Sequence, residues 1–265
     1  MLEFGLLGPL VAYSHSGPLT LGPPKRRALL IRLLLERGRA VPLGTLREDL
    51  WPDSPSSSSV SSVQAHISRL RDVLEPGRTR RGGTSVLVRE PMGYALRVPF
   101  EAQDICHFER MLKDARRLLR LDRVKEADQE VTAALALWRG APLAEATDYL
   151  FASREITRLE EAHMLAQELR VSILITEGNL EAALLAAEEL TARTPLREVA
   201  WEMLVSTLYR SGRPAEALHR YARLRELLMD ELGIAPGPRL QWLQGKILRQ
   251  EELPHDHAYS FSSSA

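Results

Sequence analysis

One stretch of the sequence places a helical pattern directly ahead of a hairpin pattern, and this order constrains the fold more than any other feature. In VSSVQAHISRLRDVL (60–74) the apolar residues recur at steps of three and four, which makes one continuous stripe on a helix. The stripe consists of Val60, Val63, Ile67, Leu70 and Leu74. VLVREPMGYAL (86–96) has two strand-like runs joined by turn formers. The sequence therefore predicts a helix that packs along one face, followed by a two-stranded wing.

The opposite face of this predicted helix carries side chains that suit a DNA groove. They are mostly small or neutral: Ser61, Ser62, Gln64, Ala65, Ser68, Arg69 and Asp72. Small side chains let the backbone approach base edges, and Gln64 and Arg69 can pair bidentately with adenine and guanine respectively. His66 and Arg71 fall at the flanks, where phosphates would lie. The helix alone is equally consistent with an ordinary amphipathic surface helix, and the wing that follows favours DNA binding.

The charge of the chain is divided unequally, although the formal net charge is zero. Residues 1–98 contain 14 Lys and Arg against 8 Asp and Glu, and residues 99–265 contain the other 21 against 27. A basic first part joined to an acidic remainder is typical of a nucleic-acid module attached to a protein-contacting module. Chance segregation would also give a difference of this size, so the charge supports the DNA-binding interpretation without deciding it.

Composition and missing motifs exclude several classes of protein. A hydrophobic content of 45% fits a globular protein, no apolar run predicts a membrane span, and the N-terminus predicts strands and not a signal peptide. The single cysteine, Cys106, fits a reducing cytoplasm, so we expect a cytoplasmic, nucleoid-associated protein. There is no GxxxxGKS/T motif, and Cys106 and His107 lack a second cluster that would complete a zinc site. We therefore expect no cofactor, no metal and no enzyme activity.

The chain divides into a short mixed part and a long helical part. Residues 2–21 predict antiparallel strands, and residues 25–37 and 43–50 predict helices ahead of the loop DSPSSSS (53–59). From about residue 104 the pattern is almost entirely helical.

An internal repeat lies within the helical part. GNLEAAL begins at Gly178 and GRPAEAL at Gly212, which is the 34-residue period of tetratricopeptide repeats. Paired helices of this kind form concave surfaces that bind peptides or proteins. A helical bundle with accidental alanine spacing is the alternative, and the repeat favours tetratricopeptide-like packing.

Residues 25–97 resemble the OmpR-type winged helix-turn-helix. The resemblance rests on HISRLR (66–71) followed by GY (93–94) in the wing. The loop after Trp51 matches the loop that faces RNA polymerase in that family. The resulting candidates for polymerase contact are Trp51, Pro52, Asp53 and Ser54.

Over residues 3–250 the chain resembles the Streptomyces antibiotic regulatory protein family of transcription activators. This resemblance rests on LWRGAPLAE (137–145), on residues 193–221 and on ELGIAPGPRL (231–240). It implies a mainly α fold with a small β component, in which an N-terminal winged helix-turn-helix precedes an all-α tetratricopeptide-like domain. The expected division is a DNA-binding domain at 1–98, a bacterial transcriptional activation domain at 99–250 and a disordered tail at 251–265.

The resemblance also implies roles for individual residues. Positions that face the bases in the major groove are Ser62, Gln64, Ala65 and Arg69, and positions that lie by phosphates are His66, Ser68, Arg71 and, in the wing, Tyr94. One position departs from the family pattern, because Glu90 stands where an arginine often enters the minor groove, and phosphates repel a carboxylate. Either Arg89 takes over by a shift of one residue, or reading of the minor groove is weak.

The resemblance further implies how such a protein would act. Two copies would bind a direct repeat near the promoter −35 region, as a homodimer on double-stranded DNA, and activate a secondary-metabolite gene cluster. The acidic helical domain and residues 52–59 would contact RNA polymerase through its sigma or alpha subunits. Two alternatives remain: a regulator whose helical domain binds a small ligand and gates DNA binding, and a scaffold in which residues 25–97 bind protein instead of DNA.

Overall fold

A computed structural model describes residues 2–52, 57–77 and 86–254 of the chain, except for the side chains of residues 57–59. Two compact units are present. The first consists of Met1–Met111 and Ala136–Glu161, and the second of Leu112–Leu135 and Ala162–Ala265. Each unit therefore contains two separate stretches of the sequence. The division at residue 98 that the sequence predicts remains a prediction about the domains.

The first unit contains two small sheets around three helices. The first sheet is antiparallel, with strands in the order β1 (Glu3–Gly5), β2 (Val11–Ser14) and β3 (Gly17–Pro18). The helices are α1 (Pro24–Leu35), α2 (Leu43–Leu50) and α3 (Ser57–Leu74). The second sheet contains β4 (Val41–Pro42), β6 (Gly93–Leu96) and β5 (Leu87–Glu90) in that order, and β5 and β6 form the predicted wing.

Helix α1 is the centre of this unit, because α2, α3 and β6 all pack against it. Its first residue is Pro24, where a proline loses no intrahelical hydrogen bond. The helix ends ahead of Arg37 and Gly38, whose φ angles of 51° and 86° are left-handed and stop helical propagation. The residues that it buries are Ala28, Leu29, Leu30, Ile31, Leu33 and Leu34.

The first sheet is held by residues far along the chain. The Asp104 carboxylate accepts hydrogen bonds from the backbone N–H groups of Leu6 and Leu7, at 2.7 and 3.1 Å. The Leu7 carbonyl in turn accepts from the Arg139 N–H at 2.7 Å. Glu145 accepts from the Leu10 N–H at 2.9 Å. The LWRGAPLAE segment therefore packs on the β1–β2 connection, through the backbone of Arg139 and the carboxylate of Glu145.

The second unit is built from helices, and it confirms the predicted repeat. Its complete helices are α7 (Leu180–Arg193), α8 (Glu198–Arg210), α9 (Pro214–Leu232) and α10 (Pro238–Leu248). Gly178 and Gly212 occupy equivalent turns, with φ angles of 75° and 73°, and both follow a helix that ends in the same hydrogen-bond pattern. Only glycine adopts this conformation without strain, which explains why the repeat contains it.

Three helices complete the structure: α4 (Asp104–Arg120), α5 (Val124–Ala136) and α6 (Leu150–Thr176). The break between α4 and α5 falls at Asp122, whose φ is 58°. With ten helices and two three-stranded sheets in the described residues, the predicted fold class, mainly α with a small β component, is confirmed. None of these helices is long and apolar enough to cross a membrane.

Candidate nucleic-acid interface

The apolar stripe of α3 is buried, as its spacing predicts. Val63, Ile67 and Leu70 are at most 1% exposed, Leu74 is 5% exposed, and Val60 is half-buried. The stripe packs against α1, α2 and β5. Because three elements hold it from one side, the direction of the opposite face is fixed by the core.

That opposite face is open to solvent along three turns of α3. The exposed residues are Ser61, Gln64, Ala65, Ser68, Arg69 and Asp72, and Ser62 is half-buried beside them. The side chains at the middle of the face are short, with Arg69 extending beyond them. An α-helix of this profile fits the width of the DNA major groove.

A cluster of aromatic and basic side chains flanks the face at His66. The His66 ring stacks on Trp51, with 5.9 Å between ring centroids and an interplanar angle of 14°. Lys25 Nζ lies 4.6 Å from the centroid of the Trp51 ring and donates to the Leu50 carbonyl at 3.2 Å. Burial lowers the pKa of His66, and the positive charges of Arg26 and Lys25 lower it further. The cluster therefore concentrates positive charge beside a neutral imidazole.

Lys25 and Arg26 of this cluster were not predicted from the sequence. They stand at the start of α1, about forty residues before His66, and nothing in the local pattern links the two segments. Of the candidates for polymerase contact, Trp51 is half-buried in this stack and Pro52 is exposed. Asp53 and Ser54 lie outside the described residues.

Arg71 and Tyr94 connect α3 to the wing. Arg71 Nε donates to the Leu87 carbonyl at 2.9 Å, and its guanidinium lies 5.6 Å from the centroid of the Tyr94 ring. Tyr94 is only 6% exposed. Both side chains thus fix the angle between helix and wing, and their contact with phosphates remains a prediction.

The wing carboxylate that departs from the family pattern is paired within the protein. Glu90 Oε1 accepts from Arg97 Nη2 at 2.5 Å. Arg89 is exposed, and its side chain makes no ion pair within the described residues. The wing therefore presents one uncompensated cation next to a neutralised carboxylate.

Gly93 is required for the wing to join the second sheet. It pairs with Pro42 of β4, and a Cβ atom at this position would overlap the carbonyl group of Val41. The φ of Gly93 is not in the left-handed region, so its backbone conformation does not require glycine. The glycine of the GY motif is needed because two backbones approach closely here.

No group of three or more His, Cys, Asp or Glu residues in the described part of the chain is arranged to hold a metal ion.

Two family models match the chain in the order that the structure displays. The model of the C-terminal domain of transcriptional regulatory proteins matches residues 18–96, and that of the bacterial transcriptional activator domain matches residues 103–248. The first covers the helices and the wing described above, and the second covers more than half of the chain.

Curated relatives align with nearly the whole chain. The transcriptional regulatory protein EmbR of Mycobacterium tuberculosis is 35% identical over 252 residues, which are 95% of this chain and 64% of EmbR. The regulatory protein AfsR of Streptomyces coelicolor is 39% identical over 94% of this chain and 24% of its own length. The regulatory protein DnrI of Streptomyces peucetius is 32% identical over 94% of this chain and 93% of its own length. The chain thus spans slightly less than two thirds of EmbR and about a quarter of AfsR.

A solved structure has the same fold. Mycobacterium tuberculosis EmbR in complex with a low-affinity phosphopeptide superposes with a TM-score of 0.87 at 35% identity, over 96% of this chain and 66% of that one. The order of the domains, the extent of the matches and the fold agree. The chain belongs to the Streptomyces antibiotic regulatory protein family of transcription activators.

Proposed function

We propose that the protein is a sequence-specific DNA-binding activator that binds direct repeats near the −35 region of promoters in a secondary-metabolite gene cluster and recruits RNA polymerase there. The observation that carries the proposal is the open polar face of α3, held at a fixed angle beside the wing by Arg71. We propose no catalytic activity.

The contacts divide into base reading and phosphate binding. On α3, Arg69 would pair with a guanine and Gln64 with an adenine, since both side chains are exposed at the centre of the face. Phosphates would lie against Lys25 and His66 on one side and against Arg89 on the other. Phosphate contacts position the helix, and the base contacts supply the sequence preference.

Arg69→Ala tests base reading. A genome-wide binding map first supplies the operator, and nuclease protection and titration on that DNA then compare the variants. We expect the loss of a bidentate contact to weaken binding by about 1–3 kcal/mol, roughly 5- to 150-fold, at unchanged thermal stability. Arg225→Ala, which removes an equal charge from the exposed face of α9, is the matched control. Unaltered protection by the Arg69 variant would remove this residue from the interface.

Recruitment of polymerase is tested apart from DNA binding. Trp51 and Pro52 begin the segment that matches the polymerase-facing loop of OmpR-type proteins, and Asp53 and Ser54 follow. Pro52→Ala, Asp53→Ala and Ser54→Ala are expected to keep operator affinity and to lower transcription from the operator promoter in a purified system. Wild-type transcription by all three would exclude this segment and leave the acidic activator domain as the site of contact. Trp51 is unsuited to this test because its ring stacks on His66.

The two alternative functions make different predictions. Phosphate contacts make the affinity of a protein for DNA fall with rising salt. A protein-binding scaffold would show no such salt-dependent binding to promoter DNA. A ligand-gated regulator would change its operator affinity when a metabolite of the regulated pathway binds the helical domain. A thermal-shift screen against those metabolites separates a gated from a constitutive activator.

A further inference from the structure

A cleft in the first compact unit lies apart from every residue assigned to the DNA interface. It has a volume of about 420 Å³ and is lined by the C-terminal end of α1, residues 100–105 and the start of α6. This volume is in the range of small-molecule sites. Its apolar wall is formed by Phe100, Ile105 and Phe151.

A buried amide lines the cleft without a hydrogen-bond partner. Gln103 is 2% exposed, and its side chain makes no hydrogen bond within the described residues. A primary amide has two donors and an acceptor. The amide is therefore available to a ligand that brings its own polar group.

The carboxylates that line the cleft are neutralised by arginines. Arg32 contacts both Asp49 and Glu36 at 2.6 Å, and Glu155 contacts Arg158 at 2.7 Å. Burial alone would lower the pKa of Arg32, but the hydrogen bonds to Asp49 and Glu36 raise it overall. These acids thus present little uncompensated negative charge to an incoming anion.

Two arginines that line the cleft have no such partner. Arg37 and Arg154 are exposed, and neither makes an ion pair within the described residues. The Arg37 guanidinium lies 4.2 Å from the centroid of the Phe100 ring, so it lies against the apolar wall. An anionic group is the complement of this pair of cations.

The backbone at Arg37 gives a second, independent indication. Its φ of 51° is in the left-handed region, at the position after a helix where glycine is preferred. A side chain there costs about 1–2 kcal/mol relative to glycine. Strained residues of this kind concentrate at sites of binding, and the Arg37 side chain is the part of the residue that lines the cleft.

We propose that this cleft binds a small carboxylate with an apolar body. The carboxylate pairs with Arg37 and Arg154, the apolar body packs on Phe100 and Phe151, and a polar substituent reaches the Gln103 amide. The site would make the protein responsive to an aromatic or aliphatic acid, and it does not depend on the DNA contacts proposed above.

The full-length protein is titrated with 2-naphthoate, followed by its fluorescence and by calorimetry, with the uncharged 2-naphthamide as the matched compound. We expect saturable one-to-one binding of 2-naphthoate and binding of the amide that is at least about tenfold weaker, the loss of one charged contact. Absence of saturable 2-naphthoate binding, or equal binding of the two compounds, overturns the proposal.

Arg37→Gly is the decisive variant because it removes the cation and also relieves the left-handed backbone. The variant is expected to fold at least as stably as wild type and to lose at least about tenfold in affinity for 2-naphthoate. Arg39→Ala is its control, since Arg39 is exposed nearby, pairs with Glu36 at 3.3 Å and does not line the cleft. Unchanged affinity of the Arg37 variant, or an equal loss in the Arg39 variant, overturns the proposal.

Discussion

Helices α3 and α8 both contain polar residues, but the polar residues lie in different surroundings. Helix α3 buries one stripe and leaves Gln64, Ser68 and Arg69 open to solvent. Helix α8 is enclosed by α7, α9 and α10, and eight of its thirteen residues are buried. The open face of α3 is therefore available to a ligand of the size of DNA, whereas α8 contributes mainly to the core.

Polar residues alone do not distinguish the two helices. Ser206 and Thr207 of α8 are buried, and both hydroxyls donate to the Met203 carbonyl of the same helix, at 3.0 and 2.7 Å. A hydroxyl satisfied in this way can enter a core at small cost. The surroundings of a helix therefore decide whether its polar residues lie in the core or on an open face.

Leu204→Ala is expected to give the largest change in stability. Leu204 is fully buried in the core around α8, and truncation of a buried leucine lowers the free energy of unfolding by about 2–5 kcal/mol. Denaturant unfolding measures the loss, and Leu185→Ala on α7, where the leucine is 61% exposed, is the control with an expected change below about 0.5 kcal/mol. Equal effects of both substitutions would contradict the assignment of α8 as the enclosed helix.

Gly93→Ala tests whether the pairing of β4 with β6 holds the wing in place. The new Cβ would overlap the Val41 carbonyl, so β4 and β6 must separate, at a cost of about 1–3 kcal/mol. Operator affinity should fall as well, because Tyr94 and the wing move with the strand. Gly44→Ala on α2 is the control, since a Cβ there meets nothing within 4 Å and alanine favours a helix, so stability should rise by about 0.4–1 kcal/mol. A Gly93 variant as stable as wild type would show that β4 does not hold the wing.

The sequence was sufficient for features that depend on short-range periodicity. The bounds of α2, Leu43–Leu50, are those that the pattern predicts, and the buried stripe of α3 follows its spacing. The turns at Gly178 and Gly212 were also predictable, because a left-handed turn requires glycine in both repeats. In each case the signal lies within a few residues of the feature that it determines.

Contacts between distant segments were not predictable in this way. The two-residue strand β4 pairs with Gly93 through backbone groups, which leave no side-chain pattern in the sequence. The Arg139 N–H bond to the Leu7 carbonyl likewise joins residues more than a hundred positions apart. The stack of Lys25, Trp51 and His66 combines three elements, so only the fold brings its members together.

The His66 stack predicts a pH dependence of DNA binding. Burial and the charges of Arg26 and Lys25 lower the pKa of His66, so the unfolded chain binds this proton more readily than the folded protein. The contribution of neutral His66 to stability is therefore complete above its ordinary pKa of 6.5 and is lost as the pH falls below 6.5 through the lower pKa of the folded protein. If a phosphate lies beside the ring, as proposed, it would raise the pKa of His66 again, and DNA binding would take up a proton.

Operator affinity should accordingly increase as the pH falls from about 7.5 to about 6, by at most about tenfold per pH unit for one proton. His66→Gln is expected to remove this increase, as measured by titration at constant ionic strength. His219→Gln, on the exposed side of α9, is the control and should retain it. A pH dependence that survives in the His66 variant would place the phosphates away from the stack.

Glu90→Gln is expected to have the smallest effect, and it tests whether the wing shares in the DNA contact that we propose for α3. The pair between Glu90 and Arg97 is partly exposed, with side chains 30% and 60% accessible, so its loss should change stability by less than about 1 kcal/mol. Removal of the carboxylate releases Arg97 and ends the repulsion of phosphates, so operator affinity should rise a few-fold at low salt and fall more steeply with rising salt. Glu226→Gln, an equal change of charge on α9, controls for net charge. If both variants bind operator like wild type at low salt, the wing tip lies away from the phosphates, and α3 with the His66 stack makes the contact without it.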